Sequence, residues 1–178
     1  EALCEQGRNF GNKIWNAFRL VVGWKRSDDA AQPESSRLAV QWFEALLDKT
    51  LADIDELFCS YRISEALMTV YKLFWDDFSG WLLEMVKPAY GEPIDGVTLA
   101  GVKRLFEKLL QILHPFMPFI TEEIWHSIAE RAENDCITVS RMPEAGAGNP
   151  QLLADMALIQ EAVTAGRAGP QQKNFPNR

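Results

Sequence analysis

No apolar run in this chain goes far enough to cross a membrane before a charge interrupts it, since a span needs about 20 predominantly apolar residues. Nor is there a cationic start followed by an apolar stretch, the mark of a secretory leader; the chain opens Glu1-Ala2-Leu3-Cys4-Glu5. Cysteine is sparse, with Cys4, Cys59 and Cys136 far apart and odd in number. They form no CxxC pair, so their spacing suggests neither a disulfide framework nor a zinc site. Free thiols of this kind suit a reducing compartment, and the cytoplasm is the expected location, with no membrane partner. Histidine is scarcer still, at His114 and His126. Two are too few for a metal cluster without other ligands, and no Ser or Cys nucleophile stands near either in a known motif. The glycines are scattered, so there is no phosphate-cradling loop and no dinucleotide fingerprint. Catalysis by this chain alone is not expected, and it is predicted to hold no metal and no cofactor.

What is present is the composition of an ordinary globular protein, 47% hydrophobic and 24% charged over 178 residues. That length buries a core without staples. The chain begins without Met and ends at Asn177-Arg178, so both ends read as cut. The net charge of −7 speaks against a polyanionic partner, but it is unevenly spread. Residues 1–26 carry Arg8, Lys13, Arg19, Lys25 and Arg26 against Glu1 and Glu5, a net +3, and the remainder is −10. A polyanion can dock at the N-terminal segment and is repelled elsewhere.

Periodicity places the elements. Gly7 to Val22 reads as a helix with Phe10, Ile14, Phe18 and Val21 on one side. A polar loop, Ser27 to Pro33, follows. A second helix starts near Ser35 or Ser36 and carries Val40, Phe43, Leu47, Leu51, Ile54, Phe58 and Tyr61 in steps of three and four. Ser64 is expected to cap a third, which runs to Pro88. A fourth covers about Leu99 to Leu113, stopped by His114-Pro115, where His114 is expected to cap the helix end. Thr121 is expected to cap a fifth, with Glu122 and Glu123 in its first turn. Cys136-Ile137-Thr138-Val139 alternates as one short strand. Ala145 to Gly148 reads as a flexible link, and Asn149-Pro150 opens a last helix ending near Gly166; from Gly169 the chain reads as loop or frayed end. The expected fold is mainly α: an antiparallel helical bundle over residues 1–132 with a small mixed α/β appendage over 133–178.

On a helical wheel, Arg8, Arg19, Asn12, Asn16, Asn9 and Lys13 follow one another round one face within about 140°. Phe10, Ala17, Val21, Ile14 and Phe18 take the other, with Trp15 on the border. Three Asn in one helix are unusual, because each costs up to about 0.7 kcal/mol relative to Ala. Amides and guanidiniums suit base edges, and a bordering indole suits stacking of an unpaired base. The same Asn residues would equally serve as bonds to neighbouring helices, and spacing leaves both readings open. Tyr71, Phe74, Trp75, Phe78 and Trp81 form an aromatic stripe whose steps are those of a buried face rather than an RNA platform. Asp76-Asp77 beside it lacks a third ligand at metal spacing and reads as a solvated pair or a partner for a nearby basic side chain.

At these residues a resemblance emerges. Gly7-Arg8-Asn9-Phe10-Gly11-Asn12-Lys13-Ile14-Trp15-Asn16-Ala17-Phe18-Arg19 resembles the helix that follows the catalytic domain in valyl-tRNA synthetases. Leu113-His114-Pro115-Phe116-Met117-Pro118-Phe119-Ile120-Thr121-Glu122-Glu123-Ile124-Trp125 is similar to the bundle signature of the class I synthetases for aliphatic amino acids, as are Phe74-Trp75-Asp76-Asp77-Phe78 and Leu83-Glu84-Met85-Val86-Lys87-Pro88. The matches run in order through residues 3–132. Ser79-Gly80-Trp81-Leu82 and Ala165 to Pro170 depart from the family's pattern. The resemblance implies an anticodon-binding bundle whose parent joins valine to its tRNA with ATP and magnesium and edits mischarged threonine. The family's nucleotide-binding signatures, editing domain and C-terminal arm do not occur in this sequence. The implied partners are the tRNA(Val) anticodon stem-loop, whose anticodon ends in A and C, and the catalytic domain of the same parent chain. The implied anticodon-facing residues are Arg8, Asn12, Lys13, Trp15, Asn16 and Arg19. Two other readings stand beside it: the bundle of an isoleucyl-tRNA synthetase, and a non-enzymatic helical interaction domain.

Overall fold

A computed structural model of the chain describes residues 2–172, with side chains for residues 4–167. Helix α1 (Ala2–Gly23) begins earlier than the apolar period requires and buries the face that period picks out. Ile14 and Val21 are fully buried, and Phe10, Ala17 and Phe18 nearly so. Each large apolar side chain removed from water contributes roughly 1.5–3 kcal/mol, which is what holds this helix on the bundle.

Helix α2 (Glu34–Cys59) starts one or two residues before its expected cap. Pro33 takes the capping position without a side-chain bond, and Ser36 is instead a buried residue inside the helix. Its far end closes with Arg62 N–H donating to the Leu57 carbonyl at 2.8 Å and Tyr61 at φ 57°. A left-handed tyrosine stands there in the place glycine usually fills.

The third helical run is not regular. It comprises α3 (Ile63–Lys72), a wide π-type segment over Leu73–Leu82 and a last turn, α4 (Leu83–Val86). Arg62 precedes it, and Ser64 caps nothing. In the wide segment, hydrogen bonds step i→i+5, so one turn takes more than four residues. Phe74, Phe78 and Leu82, four apart, form one fully buried row along it.

The described residues contain one sheet, of two strands with two residues each. β1 (Arg26–Ser27) pairs in parallel with β2 (Ile94–Asp95), Arg26 opposite Ile94 and Ser27 opposite Asp95. It ties the loop after α1 to the start of α5 (Gly96–Leu113). Asp95 caps α5, accepting from Thr98 N–H at 2.7 Å, and Gln32 donates to the Thr98 hydroxyl at 3.1 Å. Helix α5 is the central element, touching α1, α2, α3, α6 and both strands. At Gly101 a Cβ would stand 3.1 Å from Val40 Cγ1, so a glycine permits α5 to approach α2 this closely. Phe106 meets Phe74 and Phe78 in the middle of the molecule, and Phe78 meets Phe43, with the Phe78 and Phe106 rings stacked at 5.2 Å.

Helix α6 (Pro118–Ile128) begins with proline in its first turn. Thr121 is buried one turn in, its hydroxyl donating back to the Met117 carbonyl at 2.9 Å rather than capping. His114 takes the C-cap position of α5, as expected. Its own N–H continues α5 to the Leu110 carbonyl, and its ring joins Thr121 Oγ1 (Nδ1, 2.7 Å) to Thr138 Oγ1 (Nε2, 3.0 Å). After α6 the chain is held by Arg131. Its guanidinium lies 3.5 Å from the Trp125 ring centroid and pairs with Glu107 and Asp135.

Cys136 to Val139 forms no strand. Ile137–Val139 is a single 3-10 turn; only Ile137 is buried there, and its N–H donates to Glu122 Oε1 at 3.1 Å. One inward residue supplies no apolar face for pairing. Helix α7 (Pro150–Gln172) opens as expected, with Asn149 Oδ1 accepting from Leu152 N–H at 3.1 Å. It passes Gly166 without ending and packs against α2. The expected frayed end beyond Gln172 lies outside the described residues.

Candidate nucleic-acid interface

The residues singled out on α1 fall where the wheel puts them. Arg8, Asn9, Asn12, Asn16 and Arg19 are exposed, opposite the buried row of Phe10, Ile14 and Val21. The Asn side chains face away from the bundle rather than into it. The alternative role for them, as bonds between helices, therefore has no support in their placement. From Asn12 to Arg19 the helix rises about 10 Å, and from Arg8 to Arg19 about 16 Å. Three bases stacked at about 3.4 Å spacing span about 7 Å from first to third, well within the first distance.

The six candidates are not equivalent. Arg8 lies 3.6 Å from Glu5 in an exposed pair, which is worth little in water and leaves it free to exchange partners. Trp15 is 37% exposed and packs at a tilt against Phe18 at 5.4 Å, so part of the ring serves the core and part is open. Lys13 is half-buried, its ammonium 5.2 Å from the centre of the Trp75 ring. Trp75 in turn stacks on Tyr71 at 5.4 Å and lies beside Phe10. The aromatic stripe thus divides: Phe74 and Phe78 belong to the core, whereas Tyr71, Trp75 and Trp81 are half-buried. Lys13 joins that partly open aromatic edge to the polar face of α1, a link that spacing within either helix does not reveal.

The loop Trp24-Lys25-Arg26 is the other basic segment. Arg26 Nε lies 2.5 Å from Asp28 Oδ1, and its backbone is held in β1. Its charge is offset, and its conformation is fixed by the small sheet.

The Asp76-Asp77 pair does not form a ligand site. Asp76 is exposed and Asp77 half-buried. Burial pushes the Asp77 carboxyl up to about 6, the neighbouring Asp76 charge adds to this, and Lys72 opposes it. The folded protein therefore holds this proton more tightly than the unfolded chain. The stability it brings is complete below the unfolded carboxylate range near 4 and is lost as pH rises through about 6. Solvent screening limits the effect to about 1 kcal/mol. Asp77→Asn is expected to raise stability at pH 7 by roughly that amount. It should also flatten the change between pH 5 and 7, measured by urea unfolding at each pH.

The described residues also bring together Glu122, His126 and Cys136, with one ligand atom from each within 4.8 Å of the others. Ten residues separate His126 from Cys136, and nothing in that spacing announces the meeting.

Residues 40–178 match the family described as the anticodon-binding domain of tRNA ligase. Over its whole length the chain is 53% identical to the valine--tRNA ligase of Parabacteroides distasonis, covering 20% of that protein. It is 52% identical to that of Porphyromonas gingivalis over 99% of this chain, and 34% identical to that of Bacillus licheniformis over 94% of it. The chain spans about a fifth of the length of the curated relatives it matches. Helix α1 precedes the family match but lies within the full-length ones. A bundle built on α2, α5 and α6, with the family match running through all three, leaves no other assignment: the chain belongs to the anticodon-binding domain family of the tRNA ligases.

Proposed function

We propose that this chain is the anticodon-binding segment of a valine–tRNA ligase, that it takes the anticodon stem-loop of tRNA(Val), and that α1 presents the contacting face. The observation that carries the reading is the coincidence of two features on α1. Residues 1–26, which contain it, are net +3 in an acidic chain, and from Arg8 to Arg19 its exposed polar face is made of Arg and Asn with no acidic side chain. Identity to valine--tRNA ligases along the whole chain, α1 included, supports valine over isoleucine. In this reading the parent activates valine with ATP and magnesium, transfers it to tRNA and edits errors in domains outside this sequence, in the cytoplasm. No helix among the described residues is long and apolar enough to cross a membrane. We assign residues 1–132 to the RNA-binding bundle and 133–178 to the appendage that leads to the rest of the parent.

Within this face Asn12, Asn16 and Arg19 reach base edges over a rise long enough for three stacked bases. Arg8, a turn beyond, and Lys13, at the aromatic edge, serve the backbone. The test is titration of the chain with stem-loops that differ only in carrying a valine or an isoleucine anticodon. The valine loop is expected to bind about 5- to 100-fold more tightly, as one or two base-edge contacts require. Equal affinity for the two loops would defeat the valine assignment. Loss of less than about tenfold between 50 and 200 mM salt would show that few phosphates are contacted.

A further inference from the structure

Glu122 and His126 stand four residues apart on α6 and so share one face, with His126 Nε2 3.1 Å from Glu122 Oε1. Cys136 returns to that face after the loop that follows α6. We propose that Glu122, His126 and Cys136 form a binding site for a divalent transition metal of zinc type, with one coordination position left to solvent.

The donor set is the first argument. One thiolate, one imidazole and one carboxylate suit Zn²⁺ and its neighbours, and are wrong for magnesium or calcium, which take oxygen alone. Distance is the second. Zinc bonds of about 2.3 Å to sulfur and about 2.0–2.1 Å to nitrogen and oxygen set tetrahedral ligand atoms about 3.3–3.7 Å apart. The Glu122–His126 pair is already that close, and the sulfur, within 4.8 Å of both, lies about 1 Å beyond that separation. The third argument is how the ligands are held. Ile137 N–H donates to Glu122 Oε1 at 3.1 Å, fixing the carboxylate and leaving its other oxygen and spare lone pairs for a metal, as supporting hydrogen bonds in metal sites do. Trp125 Nε1 donates to the Asp135 carbonyl at 3.0 Å on the other side of Cys136. Both flanks of the cysteine are therefore tied to α6. The thiol itself has only a 4.0 Å contact to the Glu133 carbonyl to hold it. An ion pair accounts for the nearness of Glu122 and His126 but not for the thiol beside them. Glu122 and His126 also line an open cleft with His114, Glu123 and Thr138, which supplies the solvent-facing position. His114 is not a fourth ligand, because both its ring nitrogens are engaged by threonine hydroxyls.

A metal here would clip the segment after α6 back onto that helix, adding to the links made by Arg131, by Trp125 to Asp135 and by Glu122 to Ile137. The test is titration of the reduced, metal-stripped chain with Co²⁺, followed by competition with Zn²⁺. One equivalent is expected to bind, with the near-ultraviolet band of a thiolate–cobalt bond, and Zn²⁺ should displace it and raise the melting temperature. Cys136→Ser should abolish the band, whereas a Cys4→Ser, Cys59→Ser double variant should keep it. His126→Ala alters an exposed side chain, so the fold is retained. It should weaken binding by at least 10- to 100-fold, the range lost when a mere supporting partner is removed. A band that survives Cys136→Ser, unchanged affinity in His126→Ala, or no saturable band in the parent chain would overturn the site. None of these outcomes bears on RNA binding by α1.

Discussion

Phe106→Ala is expected to remove about 3–5 kcal/mol of stability. Phe106 is fully buried on α5 and its ring faces two others, Phe78 at 5.2 Å and nearly parallel, and Phe74 at 5.7 Å. Phe78 in turn meets Phe43 of α2. One ring therefore stands where α5 and the wide segment meet, with α2 behind them, and its loss leaves a void lined by residues that three different elements hold in place. Such a site collapses poorly, which puts the cost at the upper end of the range. Against a total of about 5–15 kcal/mol for a domain, this is a third or more. The melting temperature should fall by about 6–20 °C, at 2–4 °C per kcal/mol for a chain of this size. Phe106→Leu should cost much less, because most of the volume is kept. Phe119→Ala is the contrast: that ring is 91% exposed, and its removal should change stability by no more than about 0.5 kcal/mol. Urea unfolding of the three variants decides the matter. A loss below 1 kcal/mol for Phe106→Ala would mean that the aromatic cluster is not the centre of the core.

How far the sequence foretells this architecture depends on the range over which each feature is encoded. The apolar face of α1 was legible because Phe10, Ile14, Ala17, Phe18 and Val21 repeat with the helical period and nothing else competes for them. The same holds for Leu47, Leu51 and Ile54 on α2, which are all buried. Caps were less legible. Ser36, Ser64 and Thr121 are good capping residues by type, yet whether a hydroxyl turns to its own backbone or into the bundle depends on neighbours far away in sequence. Thr121 is held from outside by the His114 ring, and that contact spans two helices. The alternation at Cys136 to Val139 suggested a strand, but four residues cannot say which of them a distant core will accept, and it accepts Ile137 alone. The pairing of Arg26–Ser27 with Ile94–Asp95 carries no pattern at all, since two residues have no period. The polar face of α1 could be read to the residue. The link from Lys13 to Trp75 could not, nor could the approach of Cys136 to Glu122 and His126, because both are products of tertiary packing.

Asn12→Ala and Arg19→Ala should each weaken binding of a valine-anticodon stem-loop about 5- to 100-fold, while leaving the fold intact. A base-edge hydrogen-bonding side chain carries roughly 1–3 kcal/mol, and each factor of ten is about 1.4 kcal/mol. Both residues are exposed on the face opposite the buried row, so truncation removes no core contact, and stability should stay within about 0.5 kcal/mol of the parent. Arg8→Ala should have a smaller effect, because Arg8 lies a turn away and already has Glu5 as a neighbour. Lys13→Ala should behave differently in kind. If its ammonium meets a phosphate, the slope of log affinity against log salt falls by about one, with base preference unchanged. It also gives up its place over Trp75, at a cost in stability of about 0.5–1 kcal/mol that circular dichroism and melting will show separately. Trp15→Ala discriminates poorly, since the ring that would stack on a base also packs on Phe18. Asp155→Ala is the control: it is exposed on α7, bonded only to Gln151 one turn away, and its loss removes a negative charge, so any change should favour RNA slightly. Should the Asn12 and Arg19 variants bind as this control does, α1 is not the reading face. The Trp24-Lys25-Arg26 loop would then be tested next, with Arg26 first released from Asp28 by Asp28→Asn.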